Sequence, residues 1–228
     1  IEGGSSGSYA SNLTTLSPNT KYYVRAYATN SAGTGYGNEV TFSTSQIILP
    51  TVTTNAATNI TSTTAGSGGS ISSDGGSSIT ARGLCWGISA NPDISGLHTT
   101  DGSGIGSFTS SLEGLTPGTT YHVRAYATNV AGIAYGNDIM LTTPAVQPNL
   151  TTVTAMDITQ TSAISGGNII SDGGSKITAR GVCWSQNPDP NLLDSHTTDG
   201  LGQGFFTSLL TNLQSATTYY IRAYATNS

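Results

Sequence analysis

The sequence predicts an all-β protein built of tandem β-sandwiches, and three observations carry that prediction. Short strings recur at a period of 98 or 99 residues: Arg-Ala-Tyr-Ala-Thr-Asn begins at Arg25, Arg124 and Arg222, and Arg-Gly-x-Cys-Trp at Arg82 and Arg180. Ser-Asp-Gly-Gly-Ser begins at Ser73 and Ser171, and Thr-Thr-Asp-Gly at Thr99 and Thr197. That period is the size of one sandwich domain, whereas solenoid units run to about 20–50 residues. Secondly, apolar and polar residues alternate in short runs between Gly-, Ser- and Asp-rich clusters, as in half-buried strands joined by tight turns. Thirdly, no window sustains apolar residues at i, i+3, i+4 and i+7, so a helix has no support.

The middle copy, about residues 50–143, is complete and can be read strand by strand. Residues 52–55 and 60–71 are rich in Thr, Ser and β-branched side chains and predict the first two strands. Ser72-Ser73-Asp74-Gly75-Gly76 predicts the turn that follows, because glycine reaches φ > 0 without steric cost. Residues 79–87 predict a third strand, and residues 89–104, with Asn91-Pro92-Asp93 and Asp101-Gly102, predict a loop. Residues 107–112 set Phe108 among polar neighbours and predict the fourth strand. Residues 121–128 alternate cleanly, with Tyr121, Val123, Ala125 and Ala127 on one face and His122, Arg124, Tyr126 and Thr128 on the other. Residues 134–143 predict the closing strand.

Overlaying the copies divides the chain into a partial repeat holding only the back half (residues 1–45), a complete repeat (46–145) and a repeat lacking its last strand (146–228). The joints carry Pro50, Pro144 and Pro148, and proline fixes φ, so semi-rigid extended linkers are expected. Broken repeats at both ends lead us to expect a parent chain that continues past them. Head-to-tail filament assembly, with neighbouring molecules completing one another, is the alternative. Exchange of a single strand fits poorly, because residues 8–30 duplicate what residues 219–226 already provide.

Seven Lys and Arg stand against twelve Asp and Glu, which excludes a basic nucleic-acid surface. No apolar run approaches the roughly 18 residues of a membrane span. Only 8% of residues are charged, but eleven Tyr and two Trp recur in a fixed order, unlike a disordered chain.

The segment Leu115-Thr116-Pro117-Gly118-Thr119-Thr120-Tyr121, feeding Val123-Arg124-Ala125-Tyr126-Ala127-Thr128-Asn129, resembles the corner and penultimate strand of fibronectin type III domains. In that family a Leu-x-Pro turn precedes a tyrosine whose hydroxyl ties back to the backbone, a role the resemblance gives to Tyr22, Tyr121 and Tyr219. Ala-Arg-Gly-x-Cys-Trp, Asn-Pro-Asp, Thr-Thr-Asp-Gly-x-Gly and Tyr-Gly-Asn-[Asp/Glu] further resemble the fibronectin-III-like repeats of large secreted proteins from Bacteroidota and related bacteria. The resemblance implies immunoglobulin-like sandwiches in an extended array, outside the cell or on a bacterial surface. It implies a spacer, stalk or adhesin shaft whose partners are the neighbouring repeats, with a glycan or surface protein as a further possible partner. Fold alone does not select among these.

The remaining motifs divide between chemistry and architecture. Cys85 and Cys183 hold the same place in successive copies, about one domain length apart, so no bridge can join them and buried, inert core thiols are expected. Arg25, Arg124 and Arg222 on one strand type and Arg82 and Arg180 on its neighbour could form an Arg-Tyr stripe for a ligand. The architectural reading is favoured: an outward cross-strand ladder, arginine stems over Tyr27, Tyr126 and Tyr224, with guanidinium groups paired to Glu39 or Asp138. Trp86 and Trp184 accompany the cysteines, and alternation alone leaves open which face they take. Asp93 and Asp101, with Asp189, Asp194 and Asp199 in the next copy, supply oxygens for calcium only as a minority reading, since Asn-Pro-Asp and Asp-Gly turns account for the shared positions. Asn12, Asn59 and Asn149 head Asn-x-Thr sequons, taken as turn or edge residues. No catalytic constellation or cofactor motif repeats, so a non-enzymatic module is expected.

Overall fold

The computed structural model describes residues 6–228. The described strands begin with β1 (Lys21–Asn30) and β2 (Gly33–Ser43). The middle region holds β3 (Thr51–Thr54), β4 (Ala65–Ser73), β5 (Ala81–Gly87), β6 (Leu97–His98), β7 (Gly106–Leu112), β8 (Thr120–Asn129), β9 (Gly132–Tyr135) and β10 (Ile139–Thr142). The last region holds β11 (Asn149–Met156), β12 (Ala163–Ser171), β13 (Ile177–Ser185), β14 (Ser195–His196), β15 (Gly204–Leu210) and β16 (Tyr220–Asn227). There is no helix among the described residues, and every strand pair is antiparallel.

In the middle region a β3-β4-β7 sheet faces a β10-β8-β5-β6 sheet, with β9 also paired to β8. Period-two alternation sends Ile71 from β4, Phe108 and Leu112 from β7, Leu84 and Trp86 from β5 and Tyr121, Val123 and Ala125 from β8 into one shared core. The last region repeats this with β11-β12-β15 facing β14-β13-β16 around Ile169, Val182, Phe206, Leu210 and Ala223. These are all-β, immunoglobulin-like sandwiches. Among the described residues β1 and β2 pair only with each other.

Several elements depart from the sequence reading. Residues 60–64 form a turn, not the start of a strand: the Thr61 hydroxyl accepts the Thr64 N–H at 2.9 Å, and the Thr61 N–H bonds the Thr64 carbonyl at 2.8 Å. A threonine hydroxyl thus offers the backbone a local partner that outcompetes the ladder. The loop over residues 89–104 contains the two-residue strand β6, which pairs Cys85 with His98 and Trp86 with Leu97. The closing strand splits into β9 and β10 because Asn137 turns away to β3, its Oδ1 accepting the Thr54 N–H at 3.0 Å and its carbonyl the Thr54 hydroxyl at 2.6 Å. Tyr126, on the outward face of β8, is only 3% exposed because His98, Thr99 and Thr100 lie against it.

Candidate functional site

Cross-strand register decides what the repeated residues can do together. Directly opposed residues of an antiparallel pair share a face. Cys85 opposes Arg124 and Gly83 opposes Tyr126, whereas Arg82 opposes Ala127 and Trp86 opposes Val123. Arg82 and Trp86 therefore belong to the core face, and Cys85, Arg124 and Tyr126 to the outer one. In the last region Arg180 opposes Ala225, and Cys183 opposes Arg222, so the same division holds. The two arginine sets lie on opposite faces of one sheet, and the single Arg-Tyr stripe considered from the sequence does not form.

Arg25, Arg82, Arg124 and Arg180 are held internally, whereas Arg222 is exposed on β16. The Arg124 Nε–H donates to the Gly136 carbonyl at 3.0 Å, and its guanidinium sits 4.7 Å from the Tyr135 ring centre. Arg25 repeats this with Gly37 at 3.2 Å and Tyr36 at 4.8 Å. The rings under the guanidinium groups are thus Tyr135 and Tyr36 of the following strands, not Tyr126 and Tyr27. The expected carboxylate pairing is also absent among the described residues. Asp138 instead accepts from the Asn91 N–H at 2.7 Å and pairs with His122 at 3.0 Å. Arg82 and Arg180 cap the end of the core, each over a phenylalanine ring, at 5.3 Å from Phe108 and 5.1 Å from Phe206. Arg82 Nη1 donates to Gly104 and Ile105 carbonyls, and Arg180 Nη1 to those of Gly202 and Gln203. That accounts for the glycine-rich run after Asp101: its backbone carbonyls wrap a guanidinium.

The backbone N–H of Thr116 donates to the Tyr121 hydroxyl at 2.9 Å, of Ser17 to Tyr22 at 2.8 Å and of Gln214 to Tyr219 at 3.0 Å. Trp86 lies inside the sandwich, 8% exposed, and Trp184 is half-buried against the last core. Cys85 and Cys183 are buried, but beneath the loop over the outer face and not between the sheets. The Cys85 thiol donates to the Pro92 carbonyl at 3.2 Å. Burial pushes it up to about 11, and burial also raises Cys183. Neither is poised as a nucleophile, since the thiolate is the reactive form. Gly83 keeps the Arg-Gly-x-Cys pattern open for this loop, as a Cβ there would collide with the Thr99 carbonyl and the Tyr126 ring.

The acidic loops satisfy themselves. Asp93 accepts from the Ser95 hydroxyl and N–H, which holds its carboxyl below the usual range. Asp101 accepts from Thr99, and Asp199 from Thr197 and Ser208. Among the described residues no three His, Cys, Asp or Glu side chains converge as a metal site.

A concavity of about 710 Å³ runs beside β16 and is lined by Leu150, Cys183, Pro190, Arg222, Ala223 and Tyr224. In the middle region the equivalent place beside β8 is filled by β9 and Asn137. The acceptor chemistry is the same in both: Thr54 accepts the Ala125 N–H and Thr152 the Ala223 N–H, each at 3.0 Å. Sequence reasoning missed Thr54 and Asn137, whose only signal was the recurrence of Tyr-Gly-Asn at Tyr36 and Tyr135.

No family model matches the sequence, and no curated protein matches it. Matches to solved structures number 202 chains. Among them is the solution structure of a fibronectin type III domain derived from human KIAA0970 protein, 16% identical, covering 43% of this chain and 76% of that one, with a TM-score of 0.32.

Proposed function

We propose that the chain is a structural repeat segment, a stalk or adhesin shaft of a large extracellular or bacterial cell-surface protein, in which each sandwich acts as a rigid spacer. The observation that carries this reading is how each linker is tied down. The Asn129 side-chain amide donates to both the Ile48 carbonyl at 2.8 Å and the Asp74 carbonyl at 2.7 Å. Asn227 makes the same pair of bonds, to Val146 and Asp172, each at 2.7 Å. Backbone bonds from Ile48 to Gly75 and from Val146 to Gly173 add a second tie. Asn129 and Asn227, which end the second and third Arg-Ala-Tyr-Ala-Thr-Asn strings, thus clamp the incoming linker to the body of their own sandwich. Hinged tethers leave such segments free, and spacers do not. The test is 15N relaxation on the full chain. Residues 50–143 and 149–227 tumbling with one correlation time supports the spacer, and independent tumbling overturns it.

A second reading, a subunit of a head-to-tail filament, draws on the groove beside β16. A strand bearing Tyr-Gly-Asn-[Asp/Glu] would meet Arg222 and Thr152 there as Tyr135–Asn137 meets Arg124 and Thr54. Polymerisation of a natural protein of 23.2 kDa supports it, and a much larger intact mass removes it. Ligand recognition through the loop over residues 89–104 is read from saturable binding lost on loop substitution. Trp86 is unsuited to that test, since a change in the core perturbs folding.

A further inference from the structure

The two sandwiches agree on the faces that build the fold and disagree on one face that does not. Facing the core, Ala65, Ile71, Phe108 and Leu112 recur as Ala163, Ile169, Phe206 and Leu210. On the outer face of the same sheet the middle sandwich carries Thr58, Gly66, Ser72, Ser107 and Ser111. Their counterparts in the last sandwich are Met156, Ile164, Ile170, Phe205 and Leu209. Folding does not require this change, because the middle sandwich folds with serine there. It is also costly in water: Phe205 is 77%, Leu209 58%, Ile170 57% and Met156 50% exposed.

We propose that the outer face of the β11-β12-β15 sheet is a self-association surface that takes the same face of a second copy of this chain. Register sets Met156, Ile164 and Leu209 in one row across the three strands, and Thr151, Asn168 and Phe205 in another, with Val153, Gly166 and Thr207 between. A two-fold axis along the middle row brings Phe205 of each copy over Leu209 of the other, with the shallow Gly166 row between, an isologous sheet-on-sheet contact. Charge selects this occupant. β11, β12 and β15 contain no Lys, Arg, Asp or Glu, so two identical faces meet without like-charge repulsion. The same lack of cations removes the pull towards anionic lipid that an interfacial surface uses. Three strands about 4.8 Å apart and seven residues at about 3.3 Å rise give roughly 300–400 Å² of face. Two such faces fall short of the roughly 1,000 Å² of a permanent interface, so the dimer is weak, with a Kd of about 0.1–1 mM.

Sedimentation velocity on the full chain tests this. A monomer at about 10 µM that becomes a dimer near about 1 mM is expected, strengthened and not weakened by about 1 M salt, because apolar contact is not screened. F205S with L209S installs the middle sandwich's own residues and should abolish dimerisation while leaving the circular dichroism unchanged. The reverse graft, S107F with S111L, should create a second associating face and raise the order of the oligomer, a readout that does not depend on the first variant folding. A monomer at every concentration, or a dimer indifferent to F205S/L209S, overturns the proposal. So does Phe205-dependent binding of the monomer to phosphatidylcholine vesicles without dimerisation, which would make lipid the occupant.

Discussion

The Tyr121 hydroxyl accepts the Thr116 N–H while its ring, 7% exposed, closes the end of the core. Tyr121→Phe keeps the ring and strands that donor, so the middle sandwich should lose about 1 kcal/mol in a denaturant melt. An unchanged midpoint would refute the assignment. Both thiols are buried beneath the loop over the outer face. Native-state thiol labelling should therefore be slow at both and complete only after denaturation; fast labelling of either contradicts this placement. Burial raises the folded Cys85 thiol from 9.0 to about 11. Its contribution to stability is thus full below the unfolded value and is lost as pH rises towards the folded one. Cys85→Ala should flatten the stability profile of the middle sandwich across that alkaline window. A wild-type slope retained in the variant would exclude the thiol as its source.

Among the elements, what the sequence disclosed was periodicity, and what it hid was register. The alternation of residues 121–128 shows directly which side chains of β8 face the core, because period two is a property of one strand. Whether Arg82 and Arg124 share a face depends on the pairing of β5 with β8, where Cys85 and not Arg82 opposes Arg124. No single strand contains that information. The turn at residues 60–64 escaped for another reason: Thr61 favours strands by composition but caps its own turn through its hydroxyl. The split of the closing strand at Asn137 is likewise a side-chain event, joining β3 to the segment between β9 and β10 over 83 residues of sequence. Asn137→Ala leaves the Thr54 N–H without that acceptor, so hydrogen exchange at Thr54 should accelerate at least tenfold, roughly the worth of one bond. Protection equal to wild type would show that water or backbone substitutes for the amide.

At the scale of the whole molecule, the turn before β8 of the middle sandwich also meets the last sandwich. The Gly118 N–H donates to the Pro144 carbonyl at 3.3 Å, and a Cβ on Gly118 would run into the Gly174 carbonyl. Gly118 has φ +62°, but the equivalent Asn19 and Ala216 adopt +50° and +53° with side chains in place. The turn itself therefore accepts a Cβ at a cost of about 1–2 kcal/mol, and the further demand for glycine comes from the neighbouring sandwich. A Gly118→Ala chain should lose that modest amount in the melt of the middle sandwich. In addition, the contact with Gly174 must open. Small-angle scattering should then show an altered maximum dimension, and 15N relaxation a partial separation of the two correlation times. Scattering that superposes on wild type would mean that the rigidity resides in the Asn clamps alone. Asn227→Ala would then be the change that uncouples the sandwiches.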